Sequence, residues 1–157
     1  MKFSAQEEYG LRCLLQIARR GEDASLTIPE ISRLEGLSQT HVAKLLMILR
    51  KEGFINSTRG QSGGYSLSRS PSAILVGDVM AALGGRLYDD EFCNRHTGHA
   101  DICTHAVDCS VRSLWQVIQE AVDGVVGKLT LSDMLVEKPP KPNVTLFDRP
   151  RRPAVID

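Results

Sequence analysis

The chain has 157 residues, of which 42% are hydrophobic and 24% are charged, and its formal net charge is zero. That length suits one small domain with an accessory helix, and the composition is typical of a soluble globular protein. Because no apolar run reaches the roughly 20 residues that span a bilayer, and the first residues lack the apolar core of a signal peptide, we expect a cytoplasmic protein that does not enter a membrane.

The neutral net charge hides an uneven distribution along the chain. Residues 31–70 contain six basic and two acidic side chains, a balance of +4, whereas residues 71–137 contain four basic and ten acidic ones, a balance of −6. A basic segment followed by an acidic one indicates two separate tasks. The charge distribution alone fits a solvated surface equally well, so the motifs have to distinguish between these two interpretations.

Three helices are predicted in the first 53 residues. A capping box at Ser4 and Glu7 begins the first helix. A second capping box at Thr27 and Glu30 begins a short helix that ends at Gly36. The spacing of Ser/Thr and Glu three residues apart lets each side chain bond the other residue's backbone N–H, so both starts are local signals.

The second and third helices form a helix-turn-helix pattern. Ile31 and Leu34 give the second helix its predicted core face, and Ser38 caps the third helix, which ends at Gly53. The predicted buried stripe of the third helix consists of Val42, Leu45, Leu46 and Leu49. Two capped helices joined by a short turn that contains glycine are typical of this motif.

A glycine-rich turn over residues 59–64 joins two predicted strands over 54–58 and 65–68, which makes a β-wing. A helix-turn-helix places the start of its second helix in the major groove, and an arginine at a wing tip suits the minor groove. We therefore predict binding to double-stranded DNA, although a unit of this size can also be a scaffold or protein-binding module. The predicted DNA-binding residues are Gln39, Thr40, His41 and Lys44 of the third helix and Arg59, Gly60 and Ser62 of the wing.

The second half is predicted to be a short helix, a long loop and a long helix. The short helix covers 76–83, residues 86–108 show no period, and a strongly apolar helix runs from about Ser110 to Lys128, before a last short helix near 130–136. The predicted organisation is a winged domain over 1–85, a cysteine-containing loop over 86–109, helices over 110–136 and a proline-rich, mobile tail over 137–157.

Three cysteines, Cys93, Cys103 and Cys109, lie between the wing and the long helix. Thiolates are soft ligands that suit an iron–sulfur cluster or zinc, and Cys109 precedes a helix whose N-terminus favours a thiolate; free thiols remain an alternative. The candidates for a fourth ligand are His96, His99, His105, Glu8 and a donor from outside the chain. Cys13 lies among leucines and is predicted to be a buried apolar residue.

Several ordered segments resemble the IscR/NsrR-type family of iron–sulfur winged-helix transcriptional regulators. The similar segments are 1–12, 45–55, the wing over 59–67, 74–85, the three cysteines, and 129–135 after the long helix. The resemblance covers residues 1 to about 136, and the wing is its most specific part. It implies a mainly α fold: a winged helix-turn-helix domain with a small two-stranded β-wing and a long C-terminal dimerisation helix.

The resemblance also implies a homodimer that binds a 2Fe–2S or 4Fe–4S cluster through three cysteines and a variable fourth ligand. One family option is a histidine three residues after the third cysteine, where this chain has Arg112. The other is an acidic residue of the partner's first helix, so we expect Glu8 of the partner subunit, with His105 in reserve. Thr40 and Arg59 match family positions that contact DNA, whereas Ala43 replaces an acidic reader in one branch.

We therefore predict a homodimeric DNA-binding regulator that senses redox state, nitric oxide or iron–sulfur status through its cluster. The alternative is a regulator of the same fold without a cluster, which senses by thiol oxidation, zinc or a protein partner. An enzyme is not expected. For a pair such as Cys103 and His105, the sequence shows no motif for an oxyanion hole and no acidic residue at a spacing that would orient the histidine.

Overall fold

The computed structural model describes residues 3–21, 24–58, 60, 63–97, 103 and 109–136. These form a mainly helical fold with one two-stranded antiparallel sheet, as the sequence predicted. The helices are α1 (Ala5–Arg19), α2 (Ile28–Glu35), α3 (Gln39–Lys51), α4 (Val76–Gly84), α5 (Phe92–Arg95) and α6 (Ser110–Val126), and the strands are β1 (Ile55–Thr58) and β2 (Gly64–Leu67). A single 3₁₀ turn covers Pro71–Ala73. The predicted tail over 137–157 lies outside the described residues.

Both predicted capping boxes are confirmed. At α1, Ser4 Oγ accepts from the Glu7 backbone N at 3.2 Å, and Glu7 Oε2 accepts from the Ser4 backbone N at 2.7 Å. At α2, Glu30 Oε2 accepts from the Thr27 backbone N at 2.8 Å and from the Thr27 hydroxyl at 2.7 Å. The α2 helix ends at Gly36, whose φ of 68° lies in the left-handed region that glycine adopts without strain.

The capping box of α2 predicts a pH-dependent contribution of Thr27 to stability. Hydrogen bonds from Thr27 hold the pKa of Glu30 below its ordinary value of 4.5, because they favour the ionised carboxylate. This stabilisation is therefore present above about pH 4.5 and is lost as the pH falls through the lowered pKa. We expect Thr27→Ala to cost about 1 kcal/mol at neutral pH and progressively less on acidification.

Urea unfolding followed by circular dichroism between pH 7 and pH 3 checks this expectation. Ser38→Ala is the matched control, because Ser38 caps α3 through the His41 backbone N at 3.2 Å and the first turn of α3 contains no acidic residue. A cost of Thr27→Ala that stays constant with pH, or a Ser38→Ala cost that falls in parallel, would contradict the assignment.

The core lies between α1, α3 and α4. Gly10 of α1 faces Leu83 of α4, and a β-carbon at position 10 would overlap the Leu83 side chain, so the glycine permits the close approach of the two helices. Cys13 is fully buried, as predicted, and burial raises the pKa of its thiol to about 12. The predicted stripe of α3 is also buried. Its members are Val42, Leu45, Leu46 and Leu49.

Leu34 was predicted to face the core together with Ile31, and that prediction is wrong for Leu34. Ile31 is fully buried, whereas Leu34 is 53% exposed. The reason is that the inward face of α2 runs through Ile31 and Glu35, since Glu35 bonds Arg12 and Gln16 of α1. The polar anchor at Glu35 therefore turns Leu34 outward.

The last predicted helix, near 130–136, is a series of turns instead. The backbone N of Leu131 donates to the Ile74 carbonyl at 2.8 Å, and Val76 N donates to the Leu129 carbonyl at 2.8 Å. These bonds tie the chain after α6 to the segment before α4. The backbone N atoms of residues 133, 134 and 135 bond the carbonyls three residues earlier, which makes tight turns rather than an α-helix. The α6 helix accordingly ends at Val126, slightly earlier than predicted.

Candidate nucleic-acid interface and thiol site

The start of α3 presents polar side chains on the side opposite the core. Gln39, Thr40 and Lys44 are exposed, and His41 is half-buried. Met47 continues this exposed side one turn further along the helix. Because a major groove admits a helix whose outer side chains can reach the base edges, this face has the form that the predicted DNA contacts require.

The wing lies directly after α3 and is held to it. Ile55 pairs with Leu67 and Thr58 pairs with Gly64 across the two strands. Arg50, near the end of α3, donates to the Ser57 hydroxyl at 3.2 Å. The tip contains Gly60 with a φ of 110°, which only glycine adopts readily, whereas Arg59 and Ser62 lie outside the described residues.

A chain of side-chain contacts joins the outer face of α1 to the start of α3. The ring of Tyr9 meets the ring of His41 edge-on, with the centroids 5.6 Å apart. The Arg12 guanidinium lies 5.6 Å from the centroid of the Tyr9 ring and 4.0 Å from the carboxylate of Glu8. Glu8 itself is exposed.

Arg12 is also fixed from the side of α2. Its Nε donates to Glu35 Oε2 at 2.6 Å, and Gln16 Nε2 donates to the other oxygen of the same carboxylate at 2.6 Å. The hydrogen bond and charge of Glu35 raise the pKa of Arg12 above its ordinary value. Arg12, Gln16 and Glu35 could not be identified from the sequence alone, because no local spacing connects residues on two different helices.

Two of the predicted ligands, Cys93 and Cys109, converge on Arg112. Cys109 caps α6, and its Sγ accepts from the Arg112 backbone N at 3.4 Å. Cys93 lies in α5, beside the Arg112 guanidinium and the Tyr88 hydroxyl. Hydrogen bonding and charge from Cys93 raise the pKa of Arg112, whereas burial and then Cys93 raise the pKa of Tyr88.

The other candidate ligands are placed differently. Cys103 is half-buried, and none of the described cysteines forms a disulfide. His96 is exposed, stacks on Phe92 with ring centroids 4.2 Å apart, and its Nδ1 lies 2.7 Å from the Phe92 carbonyl. The predictions for His99 and His105 fall outside the described residues.

The loop that contains Cys93 is anchored to α6 by a polar chain. Gln119, the one polar residue among the described residues that is classed as buried, accepts from the Tyr88 backbone N at 3.0 Å. Its amide donates to Asp123 at 2.8 Å, and Asp123 pairs with Arg86. The position of Tyr88 beside Cys93 is therefore fixed by α6.

The thiols have the donor chemistry of iron–sulfur ligands, since all three are half-buried and none forms a disulfide, and Cys109 caps α6. Within the described ranges, however, no three His, Cys, Asp or Glu side chains lie close enough to hold a metal. The predicted ligand Glu8 lies in α1, and its carboxylate is exposed in the single chain.

An apolar stripe on α6 faces away from the rest of the described chain. Leu114 and Val117 are 53% and 45% exposed, and Ile118 and Ala121 continue the spacing of three and four residues. The opposite side of the helix is formed by polar residues such as Gln116. Among the described helices, none is long and apolar enough to cross a membrane.

Comparison with known proteins identifies relatives along most of the chain. The model of the Rrf2 family, described as iron-dependent transcriptional regulators, matches residues 3–137. The chain is 33% identical over 135 residues to the protein named rrf2 of Nitratidesulfovibrio vulgaris strain Hildenborough, covering 86% of this chain and 87% of that one.

Two solved structures are similar in fold. CymR, the global cysteine regulator of B. subtilis, superposes with a TM-score of 0.69 at 28% identity, over 86% of this chain and 96% of CymR. IscR of T. potens superposes with a TM-score of 0.67 at 29% identity, over 86% of each chain.

Proposed function

Because the chain belongs to the Rrf2 family of iron-dependent transcriptional regulators, which are not enzymes, we propose that it is a homodimeric DNA-binding regulator that senses redox state, nitric oxide or iron–sulfur status through a bound cluster. The observation that carries the proposal is the position of Cys109 at the start of α6 with Cys93 beside its first turn, in a chain whose α3 exposes polar side chains beside a wing.

The DNA contacts are assigned by the chemistry of the residues in α3 and in the wing. Thr40 and Gln39 bond base edges in the major groove, and Lys44 bonds phosphate or guanine. In the wing, Arg59 enters the minor groove, where Gly60 allows close approach of the backbone and Ser62 bonds phosphate. His41 also belongs to this set, and its ring contacts the ring of Tyr9.

The residues that would hold the cluster are Cys93, Cys103 and Cys109, with Glu8 of the partner subunit completing the set and His105 in reserve. A bound iron–sulfur cluster supplies one-electron redox chemistry and an iron that reacts with small oxidants or nitric oxide. A carboxylate is a harder ligand than a thiolate, so Glu8 makes the most exchangeable bond of the set.

The contacts of α1 support a coupling between that ligand and the DNA-binding face. Glu8 lies 4.0 Å from Arg12, Arg12 lies over the ring of Tyr9, and Tyr9 contacts His41 at the start of α3. If the Glu8 carboxylate bound the partner's cluster, it would no longer pair with Arg12 in the same way. The chain from Arg12 through Tyr9 to His41 would then carry that change to the start of α3, which would be the two-state element that a switch needs.

The presence of the cluster and the identity of its ligands can be tested directly. Purified without oxygen, the protein should be brown, with iron and acid-labile sulfide in equal amounts. Cys93→Ala, Cys103→Ala and Cys109→Ala should each lose most of the colour, because each removes a thiolate ligand, whereas Glu8→Ala should retain a cluster with an altered spectrum. Absorption spectroscopy with iron and sulfide analysis is the measurement.

Cys13→Ala is the matched control, because Cys13 is buried in the winged domain and should not affect the cluster. Cysteine variants as brown as the parent would exclude the proposed ligands. A parent with stoichiometric zinc and no sulfide would exclude the cluster altogether.

A second candidate is a regulator of the same fold without a cluster. It is favoured by the similarity to CymR and by the absence, among the described residues, of three donors that could share a metal. In that case, a colourless protein should change its DNA affinity on treatment with peroxide or diamide, and Cys93→Ala or Cys109→Ala should remove the response.

A further inference from the structure

The outer face of α3 carries one large apolar side chain among basic residues. Met47 is 60% exposed, although α3 buries an apolar stripe on its opposite side. Lys44 and Lys51 lie three residues before it and four residues after it, and both are exposed. Because residues three and four apart are neighbours on a helix surface, Met47 stands between two cations, on a helix whose sequence contains no acidic residue.

Met47 shares its side of α3 with the residues that are proposed to contact DNA. At 3.6 residues per turn, Thr40, Lys44 and Met47 fall within about 60° of one another around the helix axis, opposite the buried stripe. A rise of 1.5 Å per residue places Met47 about 10 Å beyond Thr40 along the axis, which corresponds to roughly three base-pair steps of 3.4 Å. In the proposed complex, Met47 therefore faces a base pair further along the groove than Thr40 does.

The chemistry of this part of α3 is apolar. Helical side chains lean toward the N-terminus of their helix, so Met47 leans over the preceding turn, where Ala43 has only a methyl group and leaves space. The Ala43 side chain has no polar atom, and a thioether sulfur donates no hydrogen bond and is only a weak acceptor. The apolar group that a base presents in the major groove is the C5-methyl group of thymine. An unbranched side chain with three rotatable bonds adjusts readily to such a group.

We propose that Met47 is a specificity-determining residue of the DNA interface, which contacts the C5-methyl group of one thymine in each half-site. The inference rests on the proposed function, since it requires α3 to lie in the major groove. Lys44 and Lys51 hold the helix against phosphates without regard to sequence, whereas Met47 adds a preference for thymine at one position.

The experiment uses the duplex that the parent protein selects from a randomised DNA library. Each thymine is replaced in turn by deoxyuridine, which lacks only the C5-methyl group, and fluorescence anisotropy measures the affinity. For the parent, one such replacement in a half-site should lower the affinity by about fourfold, the value expected for one buried methyl group. Met47→Ala and Met47→Gln should bind the thymine and deoxyuridine duplexes equally at that position. Both should keep the salt slope of the parent, because no charge is lost.

Leu34→Ala is the matched control, because Leu34 is also a large exposed apolar residue but belongs to α2. It should keep the ratio of the two affinities that the parent shows at every position. Thr40→Ala should weaken binding and yet keep the fourfold ratio at the thymine assigned to Met47. A ratio that is lost in Thr40→Ala but kept in Met47→Ala would assign the methyl contact to Thr40 and overturn the inference.

Failure of this inference and failure of the proposed function give different results. A parent that binds its selected duplex but responds to no deoxyuridine, or whose response persists in Met47→Ala and Met47→Gln, overturns the role of Met47 alone. A parent that selects no duplex from the library, whether it is purified with or without oxygen, overturns DNA binding and this inference together.

Discussion

Leu114→Asp in α6 is expected to convert the protein from a dimer to a monomer and to abolish specific DNA binding. Leu114 is the first member of the exposed apolar stripe that continues through Val117 and Ile118, and in the proposed dimer this stripe packs on its copy. Burying an unpaired carboxylate there costs about 4 kcal/mol, which raises the dimer Kd by roughly a thousandfold. A monomer contacts one half-site only, so the affinity for a two-fold operator falls with it.

Light scattering at micromolar concentration and DNA binding by fluorescence anisotropy provide the measurements. Gln116→Asp is the matched control, because Gln116 lies on the polar side of the same helix and this substitution adds the same charge. Since Leu114 is 53% exposed in the single chain, the variant should retain its helical circular dichroism. A dimer that survives both Leu114→Asp and Val117→Asp would place the interface elsewhere.

Thr40→Ala and Lys44→Ala are expected to weaken DNA binding in two distinguishable ways. Thr40 stands at the start of α3, where side chains meet base edges, so its loss should relax the preference for one base and cost about 1–3 kcal/mol on the preferred operator. Lys44 is exposed one turn further and meets phosphate in the proposed complex. Its loss should weaken binding to all sequences and reduce the salt slope by about one.

Binding to an operator library at several salt concentrations distinguishes these effects. Lys128→Ala serves as the charge control, because Lys128 follows α6, is exposed and belongs neither to α3 nor to the wing. Equal affinity of Thr40→Ala, Lys44→Ala and the parent would remove α3 from the DNA interface. A salt slope that falls as much in Lys128→Ala as in Lys44→Ala would contradict a specific phosphate contact.

The winged fold followed from local signals. The caps at Ser4, Thr27 and Ser38 bond groups within three residues, so their geometry is set by the sequence next to them. The two strands around the glycine-rich turn are equally local, and the apolar spacing that predicted a buried α3 stripe is confirmed. The burial of Cys13 among leucines was predicted in the same way.

The thiol site was predicted only as a set of donors. The sequence identified Cys93, Cys103 and Cys109 as soft ligands, but their spacing contains no information about which side chains lie between them. From the sequence, Arg112 was notable only because it occupies the position where some family members have a histidine ligand. Its position beside Cys93 depends on how α5 meets α6, and the bond of 3.0 Å from the Tyr88 backbone N to Gln119 ties the segment before α5 to α6.

The sequence by itself determined the helix starts, the helix-turn-helix, the wing and the soft character of the three cysteines, because each depends on residues a few positions apart. The tertiary structure decided what depends on contacts between distant segments. Leu34 turns outward because Glu35 is held by α1, and residues 131 and 132 bond the segment before α4 through their backbone N atoms instead of continuing a helix. Arg112 reaches Cys93, and Tyr9 reaches His41, only because separate helices pack side by side.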